Sequence, residues 1–204
     1  MPTMLLSEPA EAVVDSASGP CRKKWTREEV AAIAESGAVD MQRLELVEGE
    51  LLVKMKNRPH VNVQHRIVGV LNGIFGFERV TMESDVDVAG TDRRSSRPVP
   101  DVVVTERVVE SFEALPLPHE VSLIVEVSDT TLRYDLQTKA GLYARAGSVE
   151  YWVADLNDRV LIVHRQPEKG LYQTVTSYSA EESASPLTGP QASIVVGSLF
   201  PSSQ

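Results

Sequence analysis

"IVEVSDTTLRYDLQTKAGLYARAGSVEYWVAD", residues 124 to 155, sets two apolar runs around a segment of a different period. The first run closes a strand expected over 121 to 127. Alternate strand residues share a face, so Ile124 and Glu126 oppose Leu123, Val125 and Val127. The middle opens with Ser, Asp and Thr and stops at Gly147, the two ends of a helix over 131 to 146. Along it Asp135, Lys139 and Tyr143 recur every four residues as one stripe. Leu136, Ala140 and Ala144 form a neighbouring stripe suited to packing on a sheet. Lys139 is thereby expected at the edge of the core, reaching over the strand that delivers Glu126. "EYWVAD" (150 to 155) returns to a strand pattern.

Upstream, "VNVQHRIVGVLNGIFG" (61 to 76) places Val63, Ile67, Val70, Leu71 and Ile74 on one helical face, and "WTREEVAAIAESG" (25 to 37) is a short amphipathic helix capped by Thr26. "LELVEGELLVKM" (44 to 55) reads as a hairpin turning at Gly49. Further strands are expected at 80 to 88, 101 to 105, 159 to 165 and 171 to 179, with "DLND" (155 to 158) as a turn. Residues 181 to 190 read as a loop leading to a last short element in "SIVVGSLF" (193 to 200). This order predicts an α+β (α/β) fold, a mixed sheet flanked by helices.

With 204 residues and 42% hydrophobic content, the expectation is a flexible leader over 1 to 22 and a single domain over 23 to 204. No apolar run approaches the roughly 20 residues of a membrane helix, and the start lacks the pattern of a secretory signal, so a cytoplasmic location is expected. One cysteine, Cys21, excludes an internal disulfide and a cysteine-based zinc site. A net charge of −9 argues against a nucleic-acid partner. The acid-free stretch 54 to 66 and "RRSSR" (93 to 97) soften that objection, either as landing surfaces or as solvated loops.

"RPVPDVVVTE" (97 to 106) puts Asp101 at the head of a valine run, as Glu126 interrupts another. If the two strands pair, both carboxylates converge. Two like charges side by side in a sheet are unfavourable unless a cation neutralises them, and Mg²⁺ is the usual cation for oxygen ligands with open positions. The alternative is wet strand ends or pairing with an arginine. For Lys139 the choice is between a role beside a metal-bound water and an exposed ion pair with Asp135. Tyr143, Tyr151 and Trp152 read as core in preference to a base-stacking platform, and His119 and His164 as structural or surface residues.

"LELVEGEL", "NRPH", "PDVVV", the block from Glu126 to Asp155 and "IVVGSLF" together resemble the Uma-two family of bacterial restriction-endonuclease-type proteins, a branch of the PD-(D/E)xK nuclease superfamily. The resemblance spans about residues 25 to 200. It implies a restriction-endonuclease-like core and a Mg²⁺-dependent phosphodiesterase site (Mn²⁺ as substitute) acting on DNA. Asp101 and Glu126 become metal ligands by it, Lys139 the catalytic lysine, Glu45 a further acid and His60 a site histidine, with Gln64 or His65 as its alternates one turn later. Ser128 stands where the broader superfamily carries its lysine, so the helix has to supply that group. A homodimer is expected by analogy with nucleases that cut both strands. The competing readings are a non-catalytic nucleic-acid or protein-binding module on the same scaffold and a metal-dependent hydrolase of another substrate.

Overall fold

The central strand β5 (Val121–Ser128) is buried along all eight residues. The computed structural model describes residues 21 to 40 and 44 to 201, so the expected leader lies outside the described residues except for Cys21 and Arg22. Around β5 a six-stranded sheet assembles from β3 (Val80–Met82), β4 (Val102–Thr105), β6 (Glu150–Asp155), β7 (Val160–Glu168) and β8 (Leu171–Tyr178), in the order β3-β4-β5-β6-β7-β8. Only β5 and β6 run parallel; the other neighbours are antiparallel. A parallel pair needs a crossover, and the 131 to 146 segment provides it. The mixed sheet flanked by helices matches the fold expected from the pattern.

Period-two alternation in β4 and β5 sorts side chains to two layers. Val102, Val104, Leu123, Val125 and Val127 pack with Val63, Ile67 and Leu71 of the long helix α2 (Arg58–Phe75). Val103 and Ile124 face the other way, onto Ala140 and Tyr143 of α4 (Ala140–Ala146). Asp101 and Glu126 belong to this second face. The helix α1 (Arg27–Glu35) begins at the Thr26 capping box, and β1 (Leu44–Val47) and β2 (Glu50–Val53) form a separate hairpin. Glu48 and Gly49 have φ of 49° and 79°, the two left-handed residues that a tight hairpin turn requires. A Cβ at Gly49 would also meet Lys24 at 3.0 Å.

Four expectations shift. The strand expected over 80 to 88 ends at Met82, because Glu83 turns left-handed at φ 49° and the chain then runs irregularly. Alternation persists in Val86 and Val88, both buried, but Asp87 is buried too, clamped by Arg27 and Arg93. The second helix starts at Arg58, three residues before the expected point. Asn57 caps it through His60 N–H, and Pro59 sits in the first turn, where its missing N–H costs nothing. The crossover is not a single α-helix. It comprises α3 (Leu132–Tyr134), a π-helical turn over Asp135–Lys139 and α4, with Ala140 N–H donating back five residues to Asp135 O. The loop over 181 to 190 holds a two-residue strand, β9 (Ser183–Ala184), paired with β10 (Ile194–Val195).

Gly147 closes α4 at φ 84° with Ser148 N–H donating to Tyr143 O. A Cβ there meets nothing within 4 Å, so Gly147→Ala isolates the backbone cost of a left-handed residue, roughly 1 kcal/mol. Thermal unfolding of this variant is expected about 2 to 4 °C below the parent.

Candidate active site

The β4–β5 register pairs Val102 with Val125. Continued by one residue, it sets Asp101 opposite Glu126 on the face shared with the crossover helix. Asp101 stands just before β4, where the proline-flanked chain enters the sheet, and accepts Val127 N–H at 2.7 Å through Oδ2. Gln64 of α2 reaches through the core and donates to the Asp101 carbonyl at 2.8 Å, fixing the backbone as well. Both acids are buried, at 4% and 3% exposure, yet both line a cavity of about 620 Å³. Glu45, Lys56, His60, Asp135 and Lys139 line the same cavity.

Basic side chains stand at each carboxylate. Lys56 Nζ lies 2.6 Å from Asp101 Oδ1 and 3.1 Å from Glu83, and His60 Nε2 lies 3.1 Å from Asp101 Oδ2. Lys139 Nζ donates to Glu126 Oε1 at 2.9 Å and pairs with Glu45 at 3.0 Å, with Asp135 at 3.9 Å. Tyr143 adds a hydroxyl to the same Glu126 oxygen at 3.1 Å, so both bonds to this carboxylate fall on Oε1. Neither acid is exposed and neither pairs with an arginine. The sheet tolerates them because the protein brings two lysines and a histidine to their oxygens.

Within these contacts acidic side chains still outnumber basic ones. Glu45, Asp101, Glu126 and Asp135 gather around Lys56, Lys139 and His60. Burial pushes Glu126 well above the usual carboxyl range. Lys139 works against that shift, and Asp101, Asp135 and Glu45 reinforce it. Burial raises Asp135 in the same way, against Lys139 and the Thr131 hydroxyl. Asp101 goes the other way: burial would raise it, but the His60 and Lys56 contacts outweigh burial and hold it far below the ordinary value. Burial lowers Lys139, yet Glu126, Glu45 and Asp135 outweigh it and keep the ammonium well above its normal range. Lys139 is therefore a cation at neutral pH, and Glu126 is a carboxyl poised to gain from any further positive charge.

The structure brings Asp101, Glu126, Lys139, Glu45 and His60 together in one cavity. Lys139 is fully inside, at 5% exposure, not at the margin of the core. It is His60, not His65, that reaches the acids. His65 is exposed on α2 and Gln64 is spent on the Asp101 backbone. Ser128 is buried and contacts Thr131 Oγ1 at 3.3 Å, which in turn donates to Asp135 Oδ2 at 2.7 Å. That serine steadies the acid one turn before Lys139. Tyr143, Tyr151 and Trp152 are wholly buried, as expected of core, and His164 is buried against Tyr151 and Tyr172 while His119 is exposed.

Lys56 is the site residue that the pattern concealed. It belonged to the basic stretch 54 to 66 read as an outer surface, and no local signal turns one lysine of a run inward. Arg58, by contrast, is exposed. In "RRSSR", Arg93 and Arg97 are spent on Asp87 and Asp85.

Among the described residues, no three His, Cys, Asp or Glu side chains form a ready-made cage for a metal ion. Mg²⁺ does not need one, since it keeps several waters and is held through one or two carboxylates. Two adjacent carboxylates on an open cavity, in a cluster with more acid than base, fit that donor set.

The fold recurs in a solved structure. A crystal structure of a "putative nuclease belonging to DUF820" from Anabaena variabilis aligns with 86% of this chain and 97% of its own, at 17% identity and a TM-score of 0.64. Residues 28–197 match the family Uma2, "Putative restriction endonuclease", and the chain belongs to that family. A comparison with curated proteins finds no match. Among the described residues, no helix is long and apolar enough to cross a membrane.

Proposed function

We propose that the protein is a Mg²⁺-dependent endonuclease that hydrolyses phosphodiester bonds of DNA. The carrying observation is the meeting of Asp101, Glu126 and the Lys139 ammonium at one wall of an open cavity, in a chain of the Uma2 family. Asp101 and Glu126 would hold the ion, with Glu45 as a further acid on the Lys139 side. Bound there, Mg²⁺ supplies Lewis-acid polarisation of the phosphate and a more acidic water. The protein's own groups do the remaining work. Lys56, His60 and the Val127 amide fix both oxygens of Asp101. Tyr143 and Lys139 fix Glu126 through one oxygen. Lys139 also places a full positive charge where negative charge grows on the phosphoryl oxygens.

The purified chain, incubated with supercoiled, linear and single-stranded DNA, is expected to cut in Mg²⁺ or Mn²⁺ and to stop in EDTA. Metal should also raise the melting temperature without substrate. With a dissociation constant near millimolar and tenfold more metal, mass action contributes roughly 1.4 kcal/mol, or about 3 to 6 °C. A melting point indifferent to both metals up to tens of millimolar, with no cleavage, would overturn the proposal.

A further inference from the structure

The sheet ends at β8, whose ladder partner among the described residues is β7 alone. Gln173, Thr174, Val175, Thr176 and Ser177 are all exposed in succession, on both faces of the sheet, with Val175 at 55%. An edge strand of this length is a template for another chain, and proteins normally blunt such edges with charge, proline or a bulge. Residues 171 to 178, "LYQTVTSY", carry no charge and no proline, in a chain of net charge −9.

We infer that β8 is the dimer interface, pairing antiparallel with β8 of a second copy across a two-fold axis at Val175. The occupant follows from the sequence. Residues 172 to 178, YQTVTSY, read nearly the same in both directions. In a two-fold antiparallel pair centred on Val175, Val175 meets itself, Thr174 meets Thr176 and Gln173 meets Ser177. Thr–Thr and β-branched pairs are favourable cross-strand neighbours, and a two-fold contact must be self-complementary. The ladder is five residues long, since Tyr172 is turned inward onto Tyr151 and donates to Ser148 O. Charge supports the same occupant. Two copies of net −9 repel over most of their surface, and this strand is a stretch where they meet without opposing carboxylates. The joined sheet would have twelve strands. Each β5 would then lie seven strand spacings from its counterpart, about 34 Å before twist, with both cavities away from the contact.

Sedimentation velocity on the full chain tests this independently of any nuclease activity. A dimer is expected at several hundred micromolar, with its share rising as salt screens the net repulsion. Val175→Lys sets two ammonium groups face to face at the axis and is expected to leave a monomer with a native circular-dichroism spectrum. Thr176→Lys, also exposed, guards against a local defect at one position. In a Cys21→Ser background, Val175→Cys should cross-link into covalent dimers on oxidation. Gln173→Cys should not, because its two copies lie about 14 Å apart. A monomer at every concentration and salt would overturn the proposal and leave the edge to a strand of another protein. A dimer that survives Val175→Lys, or that cross-links equally through Gln173→Cys, would overturn it as well.

Discussion

Asp101→Asn is expected to lower DNA cleavage by more than about 100-fold, beyond the 10- to 100-fold typical of losing a group that merely supports a metal ligand. The amide keeps the shape and can still accept Val127 N–H, so the far-ultraviolet circular dichroism should stay native. It cannot keep the charge. Lys56 retains Glu83 at 3.1 Å, but His60 loses its acid, and the variant should melt a few degrees lower even in EDTA. That direction is opposite to simple relief of repulsion between two acids, because Asp101 already has Lys56 and His60 Nε2 at its oxygens. The sign with pH follows. A carboxyl held below its ordinary value contributes stability above that ordinary value and loses it as pH falls through the folded one. The melting difference between Asp101→Asn and the parent should therefore shrink in strong acid. Full cleavage by the variant would end the metal-site reading. A higher melting point in EDTA would instead contradict the ion pairs.

Lys139→Met should give the largest loss of stability. It preserves the length of the stem and removes the ammonium shared by Glu126, Glu45 and Asp135. Breaking a buried pair by deleting one partner typically costs about 3 to 5 kcal/mol, which for a chain of this size is a melting shift of roughly 6 to 20 °C. The parent keeps the Lys139 contribution in full below the ordinary lysine value and loses it only as pH rises through the higher folded one, so it is present throughout neutral pH. In the variant the acids lose their cation and their carboxyl values climb further. The folded state then binds more protons than the unfolded one, and stability should rise as pH is lowered from 8 towards 5. Calorimetric scans across that range check the sign. A variant that melts within two or three degrees of the parent and is flat with pH would mean that the acids are not held by Lys139. Cleavage should be lost as well, but the melting behaviour speaks to the charge cluster whether or not the chain cuts DNA.

The sequence exposed more of the central sheet than of its periphery. β4, β5 and β6 are fully buried and rich in Val, so alternation and turn residues marked them within a residue or two. From the same alternation came the shared face of Asp101 and Glu126, and from the four-residue spacing came the approach of Lys139. The run from 83 to 88 misled because Asp87 is buried like its valine neighbours; its partners Arg27 and Arg93 come from elsewhere in the chain, and strand periodicity does not register such a clamp. Lys56 stayed hidden for a related reason. Its value lies in an acid 45 residues away, whereas its own neighbourhood reads as a solvated basic loop. Gln64 is similar, a polar residue on the apolar face of α2 whose partner is a strand carbonyl. Longer-range polar contacts of this kind carry no period.

The π turn over Asp135–Lys139 gives the crossover a constraint of length. A π turn holds one residue more than the α turn it replaces, and each residue of an α-helix advances the face by about 100°. Gln137, within the turn, is exposed and can be exchanged freely as far as packing is concerned. Its removal would be another matter. A one-residue deletion there would let the turn close as an α turn, so the helical pieces on either side would keep their faces while Asp135 and Lys139 stood three residues apart instead of four. Among homologues, a gap of one at this point would mark a helix that has lost its π turn and, with it, the present spacing of Asp135 and Lys139.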